Sequence, residues 1–240
     1  MAERLLVVEG VSKRFGGLTA LEGVSFTMRE GERLGLIGPN GAGKTTLFNC
    51  ITGVYRPDRG RIVFRGTDIT GWPPHRITRI GIARTFQIVR PLAKMTVLDN
   101  VAVGALLHTS DVDEARRKAL EVLELVGLYE KRHVPAQSLT LIEKKRLEVA
   151  RALATEPRLL LLDEIAAGLR PAEVDRLLDM LFEVNRRGVS MIMVEHVMRA
   201  VMNFAERIIV LQYGRKIAEG KPEEVARDPR VIDAYLGTEE

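Results

Sequence analysis

The stretch Gly38-Pro39-Asn40-Gly41-Ala42-Gly43-Lys44-Thr45-Thr46 constrains this chain more than any other. A glycine, four residues, then Gly-Lys-Thr is the pattern by which a loop wraps phosphate. The flanks agree with it. Arg33-Leu34-Gly35-Leu36-Ile37 reads as a buried strand, and Leu47-Phe48-Asn49-Cys50-Ile51 carries apolar residues at helical spacing. Strand, loop and helix in that order aim backbone N–H groups and the positive end of a helix at one point. Glycines let the main chain approach a phosphate with no Cβ in the way. In such a loop Lys44 is expected to reach the β- and γ-phosphates and the Thr45 hydroxyl to hold Mg²⁺. A Gly-rich turn that merely precedes a lysine does not need this flanking context, so the stretch predicts a nucleotide site.

With 240 residues and 26.8 kDa, the chain can bury a full core in one large α/β domain or in a domain with an inserted lobe. No apolar run approaches the roughly 20 residues that cross a bilayer, and Met1-Ala2-Glu3-Arg4 does not start a signal peptide. The expected place is therefore the cytosol. A single cysteine, Cys50, rules out an internal disulfide, and its position after the loop suits a small buried apolar role. The net charge of +4 is mild, with basic and acidic residues interleaved. That describes a solvated surface, with no nucleic-acid footprint.

Leu5-Leu6-Val7-Val8-Glu9 reads as a first strand, and Val24-Ser25-Phe26-Thr27-Met28 alternates as a half-exposed strand does. Arg56-Pro57-Asp58-Arg59-Gly60 is a turn before the strand Arg61-Ile62-Val63-Phe64. Antiparallel strands thus surround the loop's α/β core. From about Pro91 to Thr155 strand signals vanish, and 112–126 and 143–153 read as amphipathic helices within an inserted lobe. Arg158-Leu159-Leu160-Leu161-Leu162-Asp163 then has the continuous apolar character of a strand deep in a parallel sheet. Pro171 opens a helix that Gly188 closes. A buried strand over 189–194, a helix over 197–205, a hairpin turning at Tyr213-Gly214 and a short helical tail complete the chain.

Asp163 ends its apolar strand where a carboxylate can hold the water shell of Mg²⁺; the competing reading is a helix N-cap. The order of parts is that of a known family. Gly38 to Thr46, then Thr85-Phe86-Gln87, Leu162-Asp163-Glu164 and Glu195-His196 resemble the ATP-binding subunit of an ABC transporter over essentially the whole chain. Gly81 to Gln87, Met95 to Val101, Ala166-Ala167-Gly168-Leu169 and the closing Ile232-Asp233-Ala234-Tyr235-Leu236-Gly237 are similar to subunits serving branched-chain amino-acid importers. Importers for urea and short amides look alike.

The resemblance implies a fold class: α/β, with a P-loop NTPase core of mostly parallel sheet, an antiparallel β subdomain and an inserted α-helical lobe. It implies one nucleotide-binding domain over 1–240, with 91–155 as the lobe. It implies ATP and Mg²⁺ as ligands, with Glu164 polarising the attacking water and His196 bonding the γ-phosphate. Gln87 would contact Mg²⁺ or water and pass that contact to the lobe. Phe15 falls where an aromatic stacks on adenine, with core packing as the competing reading. His75, His108, His133 and Trp72 receive no functional role.

Two positions depart from the family pattern. The signature Leu-Ser-Gly-Gly-Gln is here Leu139-Thr140-Leu141-Ile142-Glu143. Thr140 keeps a hydroxyl, but Leu141 and Ile142 block the close backbone approach that glycines allow. A Glu143 carboxylate ~4 Å from a phosphate charge costs about 4 kcal/mol before screening at an effective dielectric of about 20. Arg170 stands where Asp or Asn is expected at the dimer interface. These departures point to a heterodimer with a second, different ABC ATPase. The resemblance implies docking on membrane permeases at the cytoplasmic face, with a solute-binding protein as an indirect partner. Two other readings stay open: a soluble ABC ATPase that does not transport, and an ATP-holding regulatory half with little turnover of its own.

Overall fold

The computed structural model describes residues 4–86 and 91–236. In chain order the elements are β1 (Arg4–Phe15), β2 (Leu18–Arg29), β3 (Arg33–Ile37), α1 (Lys44–Ile51), β4 (Arg59–Phe64), β5 (Thr67–Asp68) and α2 (Pro74–Arg79). They continue with β6 (Ile82–Arg84), α3 (Val97–Ala105), α4 (Val112–Leu125), α5 (Leu141–Leu153), β7 (Leu159–Asp163) and α6 (Pro171–Arg186). The chain closes with β8 (Ser190–Val194), α7 (Met198–Phe204), β9 (Arg207–Gln212), β10 (Arg215–Gly220), α8 (Pro222–Val225) and α9 (Pro229–Leu236). The class is α/β, as the sequence leads one to expect. Contacts divide the chain into two compact units, one formed by residues 1–77 with 190–240 and the other by Thr78–Val189.

The first unit holds two sheets. In the antiparallel one, β2, β1, β4 and β5 lie side by side, with Val7 opposite Thr27 on one flank and Val63 on the other. Along β2, Leu21, Val24, Phe26 and Met28 are buried while Glu22, Ser25 and Thr27 face water, the alternation of a sheet with one wet face. In the second sheet β3 runs parallel to both β8 and β9, and β10 folds back on β9. All five residues of β8 are buried, and so are four of the five in β3, which is why they read as unbroken apolar runs. Helix α7 lies so close on β3 that a Cβ on Gly35 would stand 2.7 Å from Val201 Cγ1. The β9–β10 turn puts Tyr213 and Gly214 at φ 47° and 76°, the backbone of the tight two-residue hairpin expected there.

The second unit pairs β6 and β7 in parallel and stacks α3 to α6 around them. Every residue of β7 is buried, and each of its leucines contributes about 1.5–3 kcal/mol by leaving water. Helix α4 presents Ala115, Ala119 and Leu123 at four-residue steps to its neighbours. Pro171 is the first residue of α6, where its missing N–H costs no bond. Strand β6, three residues long, is too short for a period to show in the sequence, whereas α3 buries Val97, Val101 and Ala105 at four-residue steps. Thr96 caps α3 by accepting the Asp99 N–H at 3.0 Å. Asn100, fully buried, binds the Leu92 and Thr96 carbonyls at 3.1 and 2.9 Å and accepts the Leu92 N–H at 2.8 Å. No described helix is long and apolar enough to cross a membrane.

Candidate functional site

In the first unit, β3 runs into the loop 38–43 and then into α1. Gly38 lies at φ 150°, and a Cβ there would stand 2.1 Å from the Leu211 carbonyl oxygen. Gly41, at φ 77°, has open space around the same direction. The loop is pinned from inside and outside: the Ala42 N–H donates to Pro39 O at 3.2 Å, and the Gly214 N–H to Ala42 O at 3.1 Å. Gly43 supplies no capping side chain to α1, so an anion can take the place of a cap at that helix start. Lys44, expected to reach outward to phosphates, is buried and donates to Gly38 O at 2.7 Å and Pro39 O at 3.0 Å. Its ammonium thus closes the loop on itself, and with three donors it can trade a carbonyl for a phosphate oxygen without leaving its place. Thr45 is exposed and Thr46 half-buried.

Phe15 is 41% exposed, which rules out the core-packing reading. Tyr55 meets it edge to face with ring centroids 5.0 Å apart, and Lys13 Nζ lies 5.5 Å from its centroid. Asp58 anchors that corner. The Arg14 N–H at 2.6 Å and Lys13 Nζ at 3.0 Å hold its carboxyl below the usual carboxylate range. His196 follows β8 and is exposed, next to the buried Glu195. Cys50 is buried in α1, and burial pushes its thiol up to about 11.

In the second unit, Asp163 ends β7 in a buried position and does not cap a helix. Arg84 Nη2, at the end of β6, lies 2.6 Å from Asp163 Oδ2, with the two side chains 10% and 6% exposed. The Asp163 N–H donates to Thr85 Oγ1 at 3.1 Å, and the Thr85 N–H to Leu161 O at 2.9 Å, so the ends of β6 and β7 are laced together. Glu164 follows with φ 48°, a backbone that costs a non-glycine residue about 1–2 kcal/mol. Lys145 Nζ donates to its carbonyl at 3.0 Å. Gln87 lies outside the described residues.

The altered signature forms the start of α5. Thr140 precedes the helix, and its N–H donates to Glu143 Oε2 at 3.0 Å in a capping box. Burial raises the Glu143 carboxyl, but Lys131 at 2.5 Å and the Thr140 N–H outweigh it and hold the group below its ordinary range. The charge that the sequence reading set against a phosphate is thus already committed to a cap and a lysine. Arg170 is exposed, and its N–H donates to Glu173 Oε2 at 2.9 Å at the start of α6.

Three charged residues of this unit, the buried Lys145 and Glu148 and the largely covered Arg84, have no role that the sequence marks. Arg84 and Lys145 look like surface residues in a chain that is 28% charged. Only the partners they find reveal otherwise.

A profile described as "ABC transporter" matches residues 21–167, and one described as "Branched-chain amino acid ATP-binding cassette transporter" matches 215–240. The chain is 42% identical to the high-affinity branched-chain amino acid transport ATP-binding protein LivG of Salmonella typhimurium, with 99% of each chain covered. It is 39% identical to the probable LivG of Archaeoglobus fulgidus, covering 99% of this chain and 97% of that one. Among solved structures, the ADP conformation of an ATP-binding cassette of an ABC transporter superposes with a TM-score of 0.90 at 33% identity, covering 98% of this chain and 99% of that one. A nucleotide-free cassette from an ABC transporter gives 0.89 at 32% identity, covering 97% and 98%. A glycine loop closed by its own lysine, a buried aspartate at the end of an apolar strand, and full-length relatives above 30% identity lead to one conclusion: the chain belongs to the ATP-binding subunits of ABC transporters.

Proposed function

We propose that this chain hydrolyses ATP to energise the uptake of branched-chain amino acids or related small amino acids and amides through membrane permeases. The observation that carries the reading is the loop 38–46, whose main chain is shaped by close approach at Gly38 and whose lysine is held at its centre. In this reading Gly38 to Thr46 bind the triphosphate, Phe15 stacks on adenine, Glu164 polarises water and His196 orients it against the γ-phosphate. The donor types suit magnesium, which takes hard oxygen ligands along with water and substrate phosphates. By resemblance, Thr45, Gln87 and Asp163 are the residues that would hold it. When bound, the ion neutralises charge on the phosphates. The proposed organisation is a single cassette over 1–240 with 91–155 as its helical lobe.

Titration of the purified chain with a fluorescent ATP analogue, followed by phosphate release, tests this directly. Glu164→Gln should bind nucleotide as the parent does and release no phosphate; unchanged release rejects the assignment.

Partners follow from the altered signature. With Leu141 and Ile142 at the glycine positions, the chain would serve a partner's nucleotide poorly, while its own nucleotide is hydrolysed where the partner supplies a good signature. The proposed partner is therefore a second, different ABC ATPase. The pair would dock on permeases at the cytoplasmic face of the membrane, fed by a solute-binding protein, with no part for nucleic acid. Reconstituting the pair with permeases and mutating each loop lysine in turn tests the asymmetry, and equal losses count against it. The same signature favours a second reading, an ATP-holding half with little turnover, and single-turnover measurement of the mixed pair separates the two.

A further inference from the structure

Lys145 and Glu148 stand three residues apart on α5, and both are withdrawn from water, with Lys145 only 3% exposed. A buried lysine is costly unless it is bonded and its charge balanced. Both conditions are met. Lys145 Nζ donates to the Glu164 carbonyl at 3.0 Å, and Glu148 supplies the opposite charge one helical turn along. Glu148 in turn accepts the Phe86 N–H at 2.5 Å. One rigid helix face thus holds the backbone of Glu164 and the backbone that leads to Gln87.

Glu164 needs such a hold. A non-glycine residue stays in the left-handed region only where its surroundings over-determine it. The Ala167 N–H also reaches that carbonyl, at 3.3 Å, in a long turn bond. The direction of the carbonyl sets the peptide plane after Glu164, and with it the frame from which the side chain leaves.

We propose that Lys145 is a positioning residue for Glu164, clamping its carbonyl and so fixing the backbone that aims its carboxylate. The proposal rests on the reading of Glu164 as the water-polarising group. Losing the 3.0 Å bond from Lys145 loosens that peptide plane, and the carboxylate moves with it.

The test uses the full chain with MgATP, in the reconstituted pair. Lys145→Met should lower kcat by about tenfold to a hundredfold, the range for a small misplacement of a reacting group. KM for ATP should stay within about twofold, because the loop 38–46 is untouched. Lys145→Gln, whose amide can still donate, should recover much of the loss. The double variant Lys145→Met with Glu148→Gln leaves no unbalanced charge, so it should fold if the single variant does not, and it should remain slow. Independently, the backbone ¹³C carbonyl resonance of selectively labelled Glu164 should shift when Lys145 is lost. Parent-like kcat in Lys145→Met, or full recovery in the double variant, overturns the proposal, the second by showing that Lys145 serves only as a counter-charge. Glu164→Gln is run beside them. If that variant still turns over, the role of Glu164 falls and takes the proposal with it; if it is dead while Lys145→Met is fast, the clamp alone is wrong.

Discussion

Arg84 and Asp163 form an ion pair, 2.6 Å apart, in which both side chains are almost sealed from water. The acid that the family resemblance assigns to magnesium therefore has a guanidinium beside it, held by the neighbouring parallel strand. A pair of this kind is little gain over apolar residues of the same volume, but breaking it leaves an uncompensated charge in the interior. Arg84→Met is expected to destabilise the protein by about 3 kcal/mol, and adding Asp163→Asn to recover most of that loss. Urea denaturation of the two single variants and the double variant measures both quantities. Equal and additive losses would show that the two groups do not share their cost.

Lys44 reports on the loop. It makes two charge-assisted hydrogen bonds to the loop's own carbonyls, each of a kind worth about 1.5–3 kcal/mol. Lys44→Ala should weaken binding of a fluorescent ATP analogue by at least about tenfold, with an intact circular dichroism spectrum. Parent-like affinity would remove the lysine from the phosphate site.

The two loop glycines should differ sharply. An alanine at Gly38 would drive its Cβ into the Leu211 carbonyl, a backbone atom that cannot swing aside. Gly38→Ala is expected to cost more than about 3 kcal/mol by combining overpacking with an unfavourable φ. Gly41→Ala meets open space and should cost only about 1–2 kcal/mol, for the φ alone. Thermal unfolding of the pair distinguishes them, and similar midpoints would contradict the packing at Gly38.

Cys50 sets a pH dependence. Its folded thiol ionises at about 11 against an ordinary 9.0, because burial disfavours the thiolate. A raised pKa gives stability that is whole below pH 9 and drains away as the pH climbs towards 11. The loss approaches about 3 kcal/mol at the upper end. Cys50→Ala should flatten the stability profile between those limits, as read by urea midpoints. In the native parent, a thiol reagent at pH 8 should label Cys50 only as fast as the protein opens.

Glu143 should matter for folding before it matters for any phosphate. It completes the capping box of α5 and pairs with Lys131. Glu143→Ala should lower stability by about 1 kcal/mol, a change that differential scanning calorimetry can resolve. A neutral outcome would free the carboxylate for the inhibitory role that the sequence pattern suggests.

Local chemistry made the phosphate loop, the apolar strand ending at Asp163, the proline start of α6 and the Tyr213-Gly214 hairpin legible without coordinates. Each is dictated by residues within a few positions of one another: glycines where φ must be positive, a proline where no N–H is needed, leucines where both faces are covered. Helix α3 buries Val97, Val101 and Ala105 at helical steps, but over nine residues that period is short, and Asn100 bonding back to Leu92 adds an order that no sequence pattern shows.

The sequence by itself determined the class of fold, the loop that receives phosphate and the family to which the chain is akin. Tertiary structure alone decided which charges are buried and with whom. Arg84, Lys145 and Glu148 match solvent-facing residues in type and spacing. They become internal because strand pairing and helix packing bring each to a partner 62 to 79 positions away or to the Glu164 carbonyl 19 positions away. A desolvated charge is tolerable only where such a partner waits, and no local pattern encodes a meeting over that distance.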